Sequence, residues 1–276
     1  MAAYTKFSVI ATEEQSEILA AYLEEFPFDS FDYQEGCFGA YAPQSDIEPF
    51  RPAIVAVAKE AGFEHFSFED IESQNWNAVW ESDFEEVDVQ GRVLIRAPFH
   101  AERADYEGLQ VVIQPKMSFG TGHHATTQMM VEMLLESELE GKRLLDMGSG
   151  TGVLAIVAAK LGAESVLAVE IDDMAEESVR ENIELNGVAE KVVSICGDAT
   201  AIEGRAFDIV LANINRNVLL ADMEAYATTL SEGGELIMSG FFEEDIEILL
   251  KKAKRFGLKK VEQLSHDEWR AIRLKK

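Results

Sequence analysis

The sequence predicts an α/β chain in which a doubly wound sheet follows a small α+β domain. Three observations lead there. From Gly141 onward, strand-like and helix-like segments alternate strictly: KRLLDMG, a helix, SVLAVEI, a helix, KVVSICGD, FDIVLANI, a helix, GELIMSGF, a helix, and a final strand region through VEQLSHDEWRAIRL. Such alternation builds a parallel sheet joined by crossover helices. The first 75 residues read instead as βαββαβ, the order of a ferredoxin-like sandwich. Finally, LLDMGSGTGVLAIVAAKLGA joins an apolar strand to an apolar helix through Gly148, Gly150 and Gly152. Doubly wound sheets bind ligands at such turns, beyond the carboxyl ends of their strands.

The N-terminal elements follow from local pattern. YTKFSVIA has strand character. TEEQSEILAAYLEEF starts at Thr12 as N-cap and carries Ile18, Leu19, Tyr22, Leu23 and Phe26 at helical spacing. FDSFDYQ and CFGAYA form a hairpin around Glu35-Gly36, PAIVAVAKEAGF a second helix ending near Gly62, and HFSFEDI a further strand. NWNAVWESDFEEV, aromatic and acidic, reads as a connecting helix, with GRVLIRAPF and LQVVIQP as strands after it. The organisation expected is a domain over 1–75, a linker over 76–108 and the sheet domain over 109–276.

With 276 residues there is room for one large or two modest domains with an ample core. Hydrophobic content of 47% and a mean hydropathy of −0.06 describe an ordinary globular composition. No segment approaches the roughly 20 apolar residues of a membrane span. The start, MAAYTKFSVIATEEQ, lacks the basic and apolar regions of a signal peptide. Cys37 and Cys196 stand far apart, outside any CxxC, and read as free thiols of a reducing cytoplasm. The net charge of −27 argues against a direct grip on nucleic acid and leaves open a basic partner or plain solubility. Residues 1–75 are the most acidic part, with Lys6, Arg51 and Lys59 against fifteen acidic side chains.

The glycine loop narrows the ligand. Its glycines permit positive φ and close backbone approach, and the helix behind it presents a positive end. Glu170, closing the second strand 22 positions after Gly148, can accept both hydroxyls of a ribose. A dinucleotide GxGxxG would need glycine at 153, where Val153 stands, and no Lys-Ser/Thr completes a phosphate loop. Asp146, immediately before the loop, suits a cation better than a pyrophosphate.

A second run, MSFGTGHHATTQMM, precedes a helical pattern. His123 and His124 diverge as adjacent side chains and lack a third ligand at a standard spacing, so no metal is expected. The run reads as a glycine-rich lid feeding a helix whose first turn carries Thr126 and Thr127. These hydroxyls can cap the helix or contact a ligand, and Met130, Met133 and Leu134 face inward. Phe119 fits either core or a cover over the ligand. Asn213 ends FDIVLANI at the mouth of the fourth strand, where it can orient an amine, touch a cofactor or close a turn.

DMGSGTG followed by AVEI, Gly197-Asp198 and LANI resembles the class I S-adenosylmethionine-dependent methyltransferases. FGTGHHATT ahead of that core, LANIN after it and the small N-terminal domain resemble, over essentially the whole chain, the bacterial methyltransferases of large-subunit ribosomal protein L-eleven. The resemblance implies a mixed seven-stranded methyltransferase sheet, S-adenosyl-L-methionine as cofactor, and transfer to lysine and/or N-terminal amino groups of a basic ribosomal protein by a monomer. It assigns Thr127, Asp146, Gly148, Gly150, Glu170, Asp198 and Asn213 to the cofactor, with Asp146 at the methionine part, Glu170 at the ribose and Asp198 at the adenine. Asn213 is the candidate catalytic residue. The chain departs from the family form at His123 and Ala125, where threonine and proline are common. Asn213-Ile214-Asn215-Arg216 also lacks the prolines of the NPPY found in other amine methylators, which weakens a glutamine substrate in a release factor. A small-molecule methyltransferase, a nicotinamide oxidoreductase (disfavoured by Val153) and a non-catalytic cofactor-binding scaffold are the alternatives.

Overall fold

The computed structural model describes residues 4–34, 36–63, 65–71, 84–115 and 120–276. Most of the expected connecting helix and Phe119 lie outside them. The chain divides into two units, Met1–Phe84 and Glu85–Lys276.

The N-terminal unit contains β1 (Tyr4–Ile10), α1 (Glu13–Leu23), β2 (Ser30–Gln34), β3 (Cys37–Pro43), α2 (Gln44–Ile47), α3 (Arg51–Glu60) and β4 (Phe66–Ile71). Its sheet runs β2-β3-β1-β4, antiparallel at every pairing, which is the split βαβ arrangement of a ferredoxin-like unit. Thr12 caps α1 by accepting from the Gln15 N–H, while Gln15 Oε1 accepts from the Thr12 N–H at 2.9 Å. Leu19 and Leu23 of α1 are buried with Phe7, Phe38 and Ile54. Ile18 and Tyr22, expected on the same face, are each 52% exposed. One position is about 100° of helix rotation, so the buried stripe is narrower than the run of apolar residues.

In the second unit β5 (Val87–Val89), β6 (Val93–Arg96) and β7 (Leu109–Val112) form a three-stranded sheet. Then follow α4 (Ala125–Leu135), β8 (Arg143–Met147), α5 (Val153–Lys160), β9 (Ser165–Glu170), α6 (Asp173–Leu185) and β10 (Val192–Cys196). The chain finishes with β11 (Phe207–Asn213), α7 (Arg216–Thr229), β12 (Leu230–Phe242), α8 (Ile246–Lys254), β13 (Lys259–His266) and β14 (Trp269–Lys275). The last expected strand region is thus two strands, turned by Asp267 at φ 51°. The large sheet runs β10-β9-β8-β11-β12-β14-β13, and β14 is antiparallel to both its neighbours. Among the described residues no helix is long and apolar enough to cross a membrane.

Both faces of this sheet are covered. Leu144, Ile209 and Leu211 pack with α4, α5 and α6, whereas Leu145, Val210 and Ala212 pack with α7 and α8. The strict two-residue alternation of a strand therefore sends Asp146, Glu170 and Asn213 to the α4/α5 side. Arg273, 6% exposed on β14, fastens that side. It ion-pairs with Glu235 of β12 at 2.7 Å and Glu262 of β13 at 2.8 Å, and donates to Met133 O at 2.8 Å near the end of α4.

Two glycines admit Ile214, the residue after β11. A Cβ on Gly148 would lie 2.4 Å from Ile214 Cγ2, and one on Gly240 (φ +95°) 2.3 Å from Ile214 O. Gly240→Ala adds both a backbone clash and left-handed strain, and is expected to cost about 2–4 kcal/mol. Urea midpoints measure this, and a variant unfolding with the wild type would contradict it.

Candidate active site

Glycine loop and second strand are tied together before any ligand is considered. The N–H groups of Gly148 and Ser149 donate to Val169 O at 2.9 and 3.1 Å, and Gly150 N–H donates to Glu170 Oε2 at 2.8 Å. Glu170 Oε1 accepts from the Ile171 N–H at 2.9 Å. Gly152, at φ 80°, starts α5, and Thr151 Oγ1 donates to Gly120 O, fixing the described end of the lid run.

His124, not a threonine, caps α4: its Nδ1 accepts from the Thr126 N–H at 3.3 Å. His123 faces elsewhere, with Nδ1 3.1 Å from Thr121 Oγ1 and Nε2 3.0 Å from Glu85 O. Thr127 lies in the first turn of α4, fully buried, and its Oγ1 accepts from Asn213 Nδ2 at 3.4 Å. The other amide atom, Asn213 Oδ1, is buried without a hydrogen-bond partner, as are Ser149 Oγ and Asp146 Oδ1.

These elements enclose a cavity of about 530 Å³. Thr127, Gly148, Gly150, Glu170, Asp198 and Asn213 line it, and Asp146 does not. Strand alternation turns Asp146 into the sheet–helix interface, where its Oδ2 accepts from the Ala155 N–H at 3.0 Å. Burial pushes its carboxyl up to about 7, nearby Glu170 adds to the rise, and the Ala155 bond opposes it. Asp198 is exposed at the rim and caps the short turn after β10; hydrogen bonds from Thr200 hold its carboxyl below the usual range.

Trp269, Gly240, Val218 and Asp222, not singled out from the sequence, complete the wall with His124 and Ile214, which were named there without a place in the site. Trp269 was findable by topology. An antiparallel strand begins where its parallel neighbours end, so the first residue of β14 falls at the ligand-binding mouth. Burial raises the Asp222 carboxyl and lowers the His124 imidazole. Among the described residues no group of three His, Cys, Asp or Glu side chains is arranged to hold a metal ion.

A parallel sheet with one reversed strand, a glycine loop at the β8–β11 order switch and a carboxylate closing β9 define the class I methyltransferases. The family model described as ribosomal protein L11 methyltransferase (PrmA) matches residues 4–276. The chain belongs to the ribosomal protein L11 methyltransferase family. The ribosomal protein L11 methyltransferase of Porphyromonas gingivalis is 43% identical over 268 residues, spanning 96% of this chain and 92% of that one. That of Bacteroides fragilis is 41% identical over 268 residues, spanning 95% and 94%. The crystal structure of ribosomal protein L11 methylase from Lactobacillus delbrueckii subsp. bulgaricus matches in fold with a TM-score of 0.65 at 24% identity, over 69% of this chain and 98% of that one.

The raised Asp146 carboxyl has a pH signature. An acid held protonated only in the folded state costs nothing below the unfolded pKa near 3.9, increasingly more as pH rises to about 7, and its full amount above. Asp146→Asn removes that slope. Its thermal midpoint should gain on the wild type from pH 5 to pH 8; an equal difference at both would refute the assignment.

Proposed function

We propose that the chain transfers methyl groups from S-adenosyl-L-methionine to amino groups of large-subunit ribosomal protein L11, on lysine side chains and/or the N-terminal α-amine. The observation that carries this is the unpartnered Asn213 Oδ1 in the cavity wall. A buried carbonyl oxygen without a donor is costly unless an incoming N–H satisfies it, and a neutral amine supplies one. The same reading takes the enzyme to be cytoplasmic and monomeric.

The cavity suits the cofactor. Its volume is that of a small-molecule site. Glu170 would accept from the ribose hydroxyls, Asp198 would face the adenine, and Gly148, Gly150 and Thr127 would line the amino-acid part. When bound, this cofactor supplies a methyl group on a positive sulfur, already a strong electrophile.

What remains for the chain is to present a nitrogen lone pair in line. A lysine amine of pKa ~10.4 must lose its proton, at about 4.6 kcal/mol near pH 7; an α-amine near 7.7–8.0 needs only about 1–1.4 kcal/mol. An apolar wall of Met147, Val153, Leu154 and Ile214 disfavours the ammonium form and lowers the requirement. Asn213 Oδ1 then accepts one N–H and fixes the direction of the lone pair, while Thr127 holds the amide in place through Nδ2.

The basic substrate has a complement in the N-terminal unit. There Arg51 is already paired with Glu48 and Asp70, so the acidic excess lies on unneutralised side chains. Electrostatic capture weakens with salt, and substrate KM should rise several-fold between about 50 and 300 mM salt with little change in kcat. A salt-independent KM would remove the N-terminal charge from the reading.

The deciding experiment offers labelled S-adenosyl-L-methionine and unmethylated ribosomal protein L11 to the full chain. Labelled product is expected, and none would end the proposal. Asn213→Ala should slow single-turnover transfer at saturating cofactor by about 10²-fold. Glu170→Ala should weaken cofactor binding by about tenfold or more in calorimetry. A normal rate, or a normal affinity, would remove that residue from its role.

A further inference from the structure

Beyond Asn213, the cavity wall carries an aromatic group. Trp269 opens β14 and lines the wall. Phe242 of β12 lies against it at 4.4 Å, tilted by 34°, and His124 meets it at 4.8 Å. Three rings from three elements meet there.

One helix relates it to Asn213. His124 caps α4 and touches Trp269; Thr127, three residues on, touches Asn213. The indole and the Asn213 amide therefore line the same cavity, each against a residue at the N-terminal end of α4. Register across β12 agrees: Asn213 pairs with Ser239 and Trp269 with Phe242, with the Gly240 irregularity between them.

Among the described lining residues of the cavity there is no lysine or arginine, and its carboxylates Glu170 and Asp198 stand at the cofactor end, on β9 and after β10. Burial lowers the His124 imidazole, which keeps the ring beside Trp269 neutral at pH 7–8. Asn213 cannot hold every form of the amine. Its Oδ1 needs an N–H, and a nitrogen bearing three methyl groups beside its carbon chain has none. An aromatic face attracts an ammonium whatever its substitution, and tryptophan attracts it best.

We propose that Trp269 is the specificity-determining residue for the number of methyl groups added: its ring holds the methylated ammonium product beside the Asn213 position between rounds of transfer. This rests on the amine-methylation reading above. In each round the amine lone pair forms the N–C bond as the S–C bond breaks, leaving its electron pair on sulfur. The resulting ammonium gives one proton to water before it can react again. An intermediate held by its charge and methyl groups stays for that proton loss; one held only through N–H leaves more readily with each methyl gained.

Two measurements on the full chain test this. Tetramethylammonium is titrated by ligand-observed NMR, with neopentyl alcohol as the neutral control of similar shape. The wild type should prefer the cation by about tenfold, Trp269→Phe should keep most of that preference, and Trp269→Leu should erase it. In parallel, mass spectrometry of ribosomal protein L11 after limited turnover reads the number of methyls per modified amine. Trp269→Leu should shift that distribution downward, and Trp269→Phe should restore it.

A leucine variant with the wild-type cation preference, or with the wild-type methyl distribution, would overturn the proposal. If ribosomal protein L11 takes no methyl from the wild type while the cation preference depends on Trp269, the function reading fails and the cation wall stands.

Discussion

The site is organised around the seat of Ile214. This residue leaves β11 at the order switch of the sheet and is clasped between Gly148 of the glycine loop and Gly240 of β12, both too close to tolerate a Cβ. Three neighbouring strand ends are thereby locked to one another by packing alone. Asn213 before the wedge and Asn215 after it have little freedom left: one faces Thr127, and the other caps α7 through the Asn217 and Val218 N–H groups. Close packing transmits position better than hydrogen bonds in an open cleft, because a void or overlap of a few tenths of an ångström is already felt.

Around that wedge, three polar atoms lie buried without partners: Asp146 Oδ1, Ser149 Oγ and Asn213 Oδ1. Each is unfavourable on its own by about 1–3 kcal/mol. Their clustering at one loop and one strand end is the opposite of what packing for stability would produce. Surrounding elements offset it: the apolar α5, the buried methionines of α4, and the Arg273 ties that hold α4 to three strands. Of the three, Ser149 and Asn213 belong to the cavity wall, where preorganised groups away from water are worth more to a ligand than the same groups in water.

Much of this was legible in the sequence because it is local. The glycine loop, Asp146 and Glu170 sit within one βαβ unit, where spacing alone relates them. The alternation of strands and helices was equally visible, down to Asn213 at a strand end. Long-range contacts were not. Thr127 and Asn213 are 86 positions apart, and nothing in either segment announces the other. The cap of α4 was not legible, because hydroxyls are the usual N-caps, whereas here an imidazole nitrogen accepts the Thr126 N–H and lies 2.8 Å from the Thr126 hydroxyl, leaving Thr127 to meet Asn213. Asp146 was read for its chemistry alone; alternation along β8 turns it toward α5.

The placement of β14 has a consequence for the pocket. It follows β13 in the chain yet lies between β12 and β13 in the sheet, so the β13–β14 hairpin joins the rest of the sheet through the β12–β14 seam alone. Arg273 is buried along that seam with its ties to Glu235 and Met133. Trp269 belongs to the same strand. The Trp269 side of the pocket accordingly hangs on that one seam, whereas the glycine loop and Glu170 stand three and four strands away, so the two halves of the pocket answer to separate parts of the sheet.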